Sequence, residues 1–172
     1  MSRNIEIKAR IENIEALAVV AARLATGGPF EINQDDTFFA CEAGRLKLRV
    51  FSKTSGELIF YRRANQQGPK ESFYVRSPTS EPESLREALT LAYGQTGRVQ
   101  KRRTVFLVGR TRVHLDQVQG LGHFLELEVV LNESESPEIG VLEATELMSR
   151  LGVQQQQLLE EAYVDLLAQR GA

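Results

Sequence analysis

Glu126 and Glu128 stand two residues apart, and Asp116 lies in a neighbouring stretch where apolar and polar residues likewise alternate. In an extended strand, residues i and i+2 share a face, so both glutamate carboxylates would point into the same space. Carboxylates are hard oxygen donors that suit Mg²⁺ or Mn²⁺, ions that keep part of their shell for water and phosphate oxygens. Cations recur with the same spacing. Arg45, Lys47 and Arg49 oppose Leu46, Leu48 and Val50; Tyr61 and Arg63 share a face, as do Lys70, Ser72, Tyr74 and Arg76. Arg112, His114 and Asp116 share another, and Asn4, Glu6, Lys8 and Arg10 a further one opposite Ile5, Ile7, Ala9 and Ile11. An amphipathic strand taken alone usually turns its charged face to water. Faces sorted by sign on strand after strand are harder to explain that way, because like charges two apart repel mildly. They make better sense around a metal and a polyanion, with arginine neutralising phosphate oxygens through paired hydrogen bonds. The chemistry indicated is phosphoryl or nucleotidyl transfer, where positioning and charge stabilisation supply most of the rate.

Strands must hold these residues. Alternation marks 4–11, 45–50, 57–63, 70–76, 111–116 and 124–130, and the stretches 30–40 and 98–108 are rich in strand-forming residues but alternate less cleanly. In 98–108 the face is ambiguous, since Arg98, Lys101, Arg102 and Arg103 fall on both parities. Gly44, Gly56 and Gly109 fall between runs and read as hairpin turns. Short connections make the strands, about eight in all, largely antiparallel. Helical spacing marks three other stretches: one capped by Asn13 and ending near Gly27-Gly28, one from Pro82 to Gly94, and a C-terminal pair from Pro137 broken near Gly152. Leu158, Leu159, Tyr163, Leu166 and Leu167 would stripe the last helix, which is expected to dock on the sheet; a homodimer contact through it is the minority reading. The fold class expected is α+β, built on a large antiparallel sheet or barrel; a closed barrel with the charged face inward would be a polar tunnel, its apolar outer face covered by the helices. No composition shift marks a linker, so 1–172 reads as a single domain.

The length of 172 residues suffices for a real core, and 42% hydrophobic with 26% charged residues argues against disorder. A formal charge of −2 gives no support to a nucleic-acid coat or a polybasic membrane binder. Cys41 is the only cysteine, which rules out an intrachain disulfide and a cysteine-based metal cluster. Charges at the start of the chain, where a signal peptide needs an apolar stretch, make a cytoplasmic location the expectation. His114 could act as a base or a phosphate donor, but a hydrogen-bonded lining residue is the commoner fate. Phe38, Phe39, Tyr61 and Tyr74 could stack on a nucleobase, though packing is the more frequent role of aromatics.

An ordered series of motifs extends over nearly the whole chain: Asn4-Ile-Glu6-Ile-Lys8, Gln34-Asp-Asp-Thr-Phe-Phe39, Gly44-Arg-Leu-Lys-Leu-Arg49, Leu58-Ile-Phe-Tyr-Arg-Arg63, Gly68-Pro-Lys70, Val99-Gln-Lys101-Arg-Arg103, Arg112-Val-His-Leu-Asp116 and Gly120-Leu-Gly-His-Phe-Leu-Glu126-Leu-Glu128. With these motifs the chain resembles the CYTH superfamily of triphosphate tunnel metalloenzymes, within it the class IV adenylyl cyclase-like branch. The resemblance implies an eight-stranded antiparallel β-barrel forming a polar tunnel, with helices packed outside, and a cofactor of Mg²⁺ or Mn²⁺ held by Glu6, Asp116, Glu126 and Glu128. It implies a triphosphate gripped by Lys8, Lys47, Arg49, Arg63, Lys101 and Arg103, with Lys70 and Arg112 as further candidates, and catalytic parts for Lys8 and Arg103. The implied partner is a small triphosphate compound (ATP, tripolyphosphate or thiamine triphosphate) rather than a large nucleic acid or a membrane. Class IV cyclase chemistry, ATP to cyclic AMP and pyrophosphate, is the leading expectation. Triphosphate hydrolysis is the alternative, and a non-catalytic triphosphate-binding module a further one. The chain departs from the family at Asn4, where the N-terminal motif carries a glutamate; a neutral amide there removes one carboxylate. Cations confined in a tunnel should also repel one another, so Arg49→Ala is expected to leave the ligand-free protein no less stable.

Overall fold

The computed structural model describes residues 2–64 and 66–171. Eight antiparallel strands close into a barrel: β1 (Ser2–Arg10), β2 (Gly27–Phe39), β3 (Arg45–Ser52), β4 (Ser55–Arg63), β5 (Lys70–Thr79), β6 (Gln95–Val108), β7 (Thr111–Val118) and β8 (Gly122–Leu131). Their order around the barrel is β1-β5-β4-β3-β2-β6-β7-β8, and β8 pairs with β1 to complete it. Every neighbouring pair is antiparallel. Four helices lie outside: α1 (Ile14–Leu24), α2 (Pro82–Tyr93), α3 (Pro137–Arg150) and α4 (Tyr163–Arg170).

The alternation read from sequence puts Ile5, Ile7, Ala9, Val113, Leu115, Leu125, Leu127 and Val129 on the outer face of β1, β7 and β8. All are buried beneath α1 and α3 through Leu17, Ala21, Ala144, Leu147 and Leu151. The main hydrophobic core therefore lies between barrel and helices, and the barrel interior is left to the charged side chains. Helix α3 sits so close that a Cβ on Gly140 would lie 2.6 Å from Ile5 Cγ1 and 2.7 Å from Leu131 Cδ2, which a side chain there could not tolerate. Asn13 caps α1 by accepting from the Ala16 amide at 3.0 Å, as its spacing predicts. Among the described residues no helix is long and apolar enough to cross a membrane.

Four boundaries differ from the sequence reading. Gly56 lies inside β4 rather than in a turn, because Lys53 and Thr54 supply the bend and Gly56 passes close beneath Pro82 of α2. Strand β2 begins at Gly27, immediately after α1, and β6 begins at Gln95, so both outrun the stretches where alternation is clean. The last helix starts only at Tyr163. Residues 158–162 instead form an extended strap: Leu158 bridges to Ala9, and the Leu159 amide donates to the Lys8 carbonyl at 2.9 Å.

Candidate active site: a charged tunnel

The barrel interior holds a cavity of about 290 Å³, close to the lower end of typical ligand sites. Its wall is built by strand parity. Asn4, Glu6 and Lys8 project from β1, Lys47 and Arg49 from β3, Arg63 from β4, Lys101 and Arg103 from β6, and Arg112 and His114 from β7. Glu126 and Glu128 project from β8. The ambiguity in 98–108 is resolved: Arg98 and Arg102 turn outward to Asp35 and Glu31, leaving Lys101 and Arg103 inside.

Three ion-pair groups divide the cations. In the first, Asp36 of β2 takes Arg49 on both oxygens (2.8 Å each), Lys47 at 3.1 Å and Lys101 at 3.8 Å. Burial would push the Asp36 carboxyl up, but Arg49, Lys47 and Lys101 together hold it well below the usual range. In the second, Arg103 forks onto Asp116 (2.7 and 2.7 Å) and reaches Glu126 at 2.8 Å, while the Lys8 ammonium lies 3.2 Å from Glu126. Asp116 also accepts from the Tyr163 hydroxyl at 2.8 Å. In the third, Arg112 binds Glu128 Oε2 at 2.9 Å. Arg63 is the least neutralised cation of the described wall. Glu6 stands 3.7 Å away, and its buried Nε and Nη2 have no hydrogen-bond partner.

Desolvation shapes the charges. Burial lowers Lys47 to about 8, with Arg49 adding to it, and lowers Lys101 to about 7, with Arg103 adding. Lys70 falls to about 8 for the same first reason, with Arg63 and Lys8 next. Burial, then the neighbouring Glu128 and Glu126, raise Glu6 above its ordinary range. His114 is lowered by burial and by Arg103, which favours the neutral imidazole.

The two ends of the tunnel differ. At one, the strap and α4 close over it: Ala162, Tyr163 and Val164 pack with Phe38, Val99 and Phe124. The Tyr163 ring lies 4.1 Å from the Lys8 ammonium and 5.1 Å from that of Lys101. Toward the other, β5 runs from buried Ser72 through half-buried Tyr74 to exposed Arg76, and β3 runs from half-buried Lys47 and Arg49 to exposed Phe51. Ile32, Phe51, Ile59 and Val105 give that end an apolar wall.

Ten of the sequence candidates line the cavity: Glu6, Lys8, Lys47, Arg49, Arg63, Lys101, Arg103, Arg112, Glu126 and Glu128. Lys70 and Asp116 do not. Lys70 is buried and donates to the Glu160 carbonyl at 2.8 Å and the Gln66 carbonyl at 3.3 Å. Asp116 has no exposed surface, and Arg103 and Tyr163 occupy its carboxylate. Phe38 packs beside Lys47 near the closed end, and Phe39 is core. Sequence reasoning missed Asp36, Gln34 and Tyr163. Asp36 and Gln34 share a parity in 30–40 and were legible as a face had that strand alternated cleanly; nothing local marks Tyr163, which reads as a helix-stripe residue. A divalent cation fits the Glu126–Glu128 end of the wall, where Glu128 spends Oε2 on Arg112 and has no hydrogen bond on Oε1 among the described residues.

The CYTH domain model matches residues 2–163 of the chain. The chain is 26% identical to an adenylate cyclase CyaB of Aeromonas hydrophila, over 96% of this chain and 88% of that protein. In fold it is similar to the PH1012 protein of Pyrococcus horikoshii OT3, with a TM-score of 0.84, 22% identity, and 95% and 98% of the two chains covered. A Hippeastrum protein, described as a putative adenylyl cyclase with a dominant triphosphatase activity, superposes with a TM-score of 0.66 at 16% identity, covering 98% of this chain and 95% of that one.

Proposed function

Because this chain belongs to the CYTH domain family, we propose that its tunnel holds a nucleoside triphosphate with Mg²⁺ or Mn²⁺ and converts it, as class IV adenylyl cyclases do, to a cyclic nucleotide and pyrophosphate. The observation that carries this reading is the pairing of an apolar open end with a cationic interior that has unspent donors. Arg63 keeps two buried nitrogens without partners, which a polyanion would satisfy. Ile32, Phe51, Ile59 and Val105 suit an organic group outside the triphosphate, and a bare tripolyphosphate has no use for them. The ribose 3′-hydroxyl oxygen would bond to the α-phosphorus, the bond from that phosphorus to the β-phosphate oxygen would break, and pyrophosphate would leave. The hydroxyl proton would pass to solvent. Lys47, Arg49, Arg63, Lys101 and Arg112 would hold the phosphates. Lys8 and Arg103 would face the charge that develops on the leaving group. A bound divalent ion would supply charge neutralisation and orientation, held by Glu126 and Glu128 with Glu6 beside them.

Hydrolysis of the triphosphate is the competing reading, and Asn4 is the residue that motivates a third, a binding module without turnover. Asn4 is 2% exposed, its carbonyl oxygen has no partner, and it stands where the family's glutamate would add a carboxylate. The test is turnover of ATP, thiamine triphosphate and tripolyphosphate with each metal, with products identified. Cyclic AMP with stoichiometric pyrophosphate from ATP is the expected result. Orthophosphate without cyclic nucleotide would replace the cyclase by a hydrolase. No chelator-sensitive turnover of any of the three would leave only a binding module.

A further inference from the structure

One buried donor in the tunnel is unused by that mechanism. His114 is 4% exposed, projects from β7 directly across from Glu126 on β8, and its Nδ1 has no hydrogen-bond partner. The nearest acceptors are Glu126 Oε2 at 3.8 Å and Glu128 Oε1 at 3.9 Å, both too far for a hydrogen bond. Those distances suit something else. Two atoms that each lie about 2.1 Å from one ion stand at most about 4.2 Å apart, so 3.8 and 3.9 Å are spans that a shared ion bridges. The three ligand atoms lie within 4.8 Å of one another. Glu128 is held from its far side, since Arg112 takes Oε2 and leaves Oε1 toward His114, whereas Glu126 Oε2 would ligate with the lone pair that its hydrogen bond from Arg103 leaves over. Such outer partners orient ligands.

We propose that His114 is a direct metal ligand, completing with Glu126 and Glu128 a site of one nitrogen and two carboxylates that favours a first-row transition ion over Mg²⁺. Imidazole binds Fe, Ni, Cu and Zn ions well, Mn²⁺ stands at the weak end of that first-row order, and Mg²⁺ demands oxygen donors in near-octahedral geometry. Asp116, already spent on Arg103 and Tyr163, then serves as a positioning residue for Arg103 and not as a ligand. The inference rests on the preceding reading only in taking the tunnel to hold a divalent ion; which bond of a triphosphate is broken does not enter.

The test uses the whole untagged protein and Mn²⁺, alone and with tripolyphosphate, read by pulsed electron paramagnetic resonance for ¹⁴N coupling to the bound ion. The chain has two histidines, His114 and His123, so a coupled imidazole has only two sources. Coupling should be present in the unaltered protein, persist in His123→Gln and vanish in His114→Gln. In His114→Gln, Mn²⁺ affinity should also fall about tenfold or more while Mg²⁺ affinity changes much less. Bound Mn²⁺ without nitrogen coupling in the unaltered protein would overturn the proposal whatever the variant does. Coupling that survives His114→Gln, or no Mn²⁺ binding with or without tripolyphosphate, would do the same. Because no turnover is read, a hydrolase result for the reaction leaves this inference standing, and an all-oxygen site leaves the cyclase reading standing.

Discussion

Asp36 changes what the tunnel's cations cost. Without it, Lys47, Arg49 and Lys101 would repel one another inside a poorly screened wall, and removing Arg49 would relieve the ligand-free protein. With it, those three share a buried counter-charge, and Arg49 contributes two hydrogen bonds of 2.8 Å to it. The expectation drawn from sequence is therefore replaced. Arg49→Ala should destabilise the ligand-free protein by about 1–3 kcal/mol, since Asp36 loses its bidentate partner but keeps two lysines. Asp36→Asn should cost more, about 3–5 kcal/mol, because it strands three buried cations. Urea unfolding of both variants checks the order. In Asp36→Asn, added tripolyphosphate should restore a larger share of stability than in the unaltered protein, as a bound polyanion takes over the missing charge. Equal costs for the two variants would show that Asp36 does not organise this group.

At the scale of elements, the strap and α4 act as one closure. Arg45 of β3 forks onto Asp165 at 2.6 and 3.1 Å, and Asp165 also accepts from the Ala162 amide at 3.2 Å at the start of the helix. One side chain thus caps α4 and ties it to the barrel. Beneath it, the carbonyls of Glu160 and Glu161 accept from Lys70 and Lys8, so the strap's backbone takes up two buried ammonium groups at that end. Asp165→Ala should loosen this unit without unfolding the barrel, whose β1–β8 closure it does not touch. Hydrogen exchange followed by mass spectrometry should show the largest acceleration in residues 158–170, beyond the uniform effect of the global change on the barrel strands. A global stability loss of about 1–2 kcal/mol should accompany it, from the lost cap and ion pair. Unchanged exchange across 158–170 would mean that the hydrophobic contacts of Tyr163 and Val164 hold the closure by themselves.

The whole molecule couples charge to ligand through its lysines. Burial lowers Lys101 to about 7 and Lys47 and Lys70 to about 8, from an ordinary 10.5. Between pH 7 and 10.5 the unfolded chain therefore binds more protons at these positions than the folded one. By linkage, these three lysines make the ligand-free protein gain stability as pH rises through that window. A bound polyanion reverses the bias, because opposite charge favours the ammonium forms. Binding of tripolyphosphate with Mg²⁺ at pH 8 should take up protons, and its affinity should fall as pH rises from 7 to 9. Calorimetry in buffers of different ionisation enthalpy measures the uptake. The same ligand should raise the melting temperature clearly more than sulfate at matched ionic strength, since only a bound anion stabilises by mass action. No proton uptake together with equal effects of the two anions would mean that these charged faces are not a shared binding site.

Strand parity is local, and for that reason the charged and apolar faces were legible in the sequence, whereas closure into a barrel was implied only by the resemblance to a family. Alternation in 4–11, 45–50, 57–63, 111–116 and 124–130 determines which side chains share a face. A period of two cannot place Lys47 and Arg49 on one side without placing Leu46, Leu48 and Val50 on the other. The N-terminal cap of α1 and the punctuation at Pro82, Gly94 and Pro137 are equally local and reappear in the structure. What parity cannot determine is which strand stands across from which. That Arg103 meets Asp116, that Asp36 gathers cations from β3 and β6, and that His114 faces Glu126 follow from register around a closed barrel. Register depends on contacts far apart in the chain. The same holds for the C-terminus, where Tyr163 has a helical spacing with Leu166 and Leu167 but directs its hydroxyl into the barrel. Helix propensity over five residues is weak beside a buried hydrogen bond to Asp116 and two ammonium groups against a ring, so tertiary contacts hold Leu158–Ala162 extended and start the helix at Tyr163.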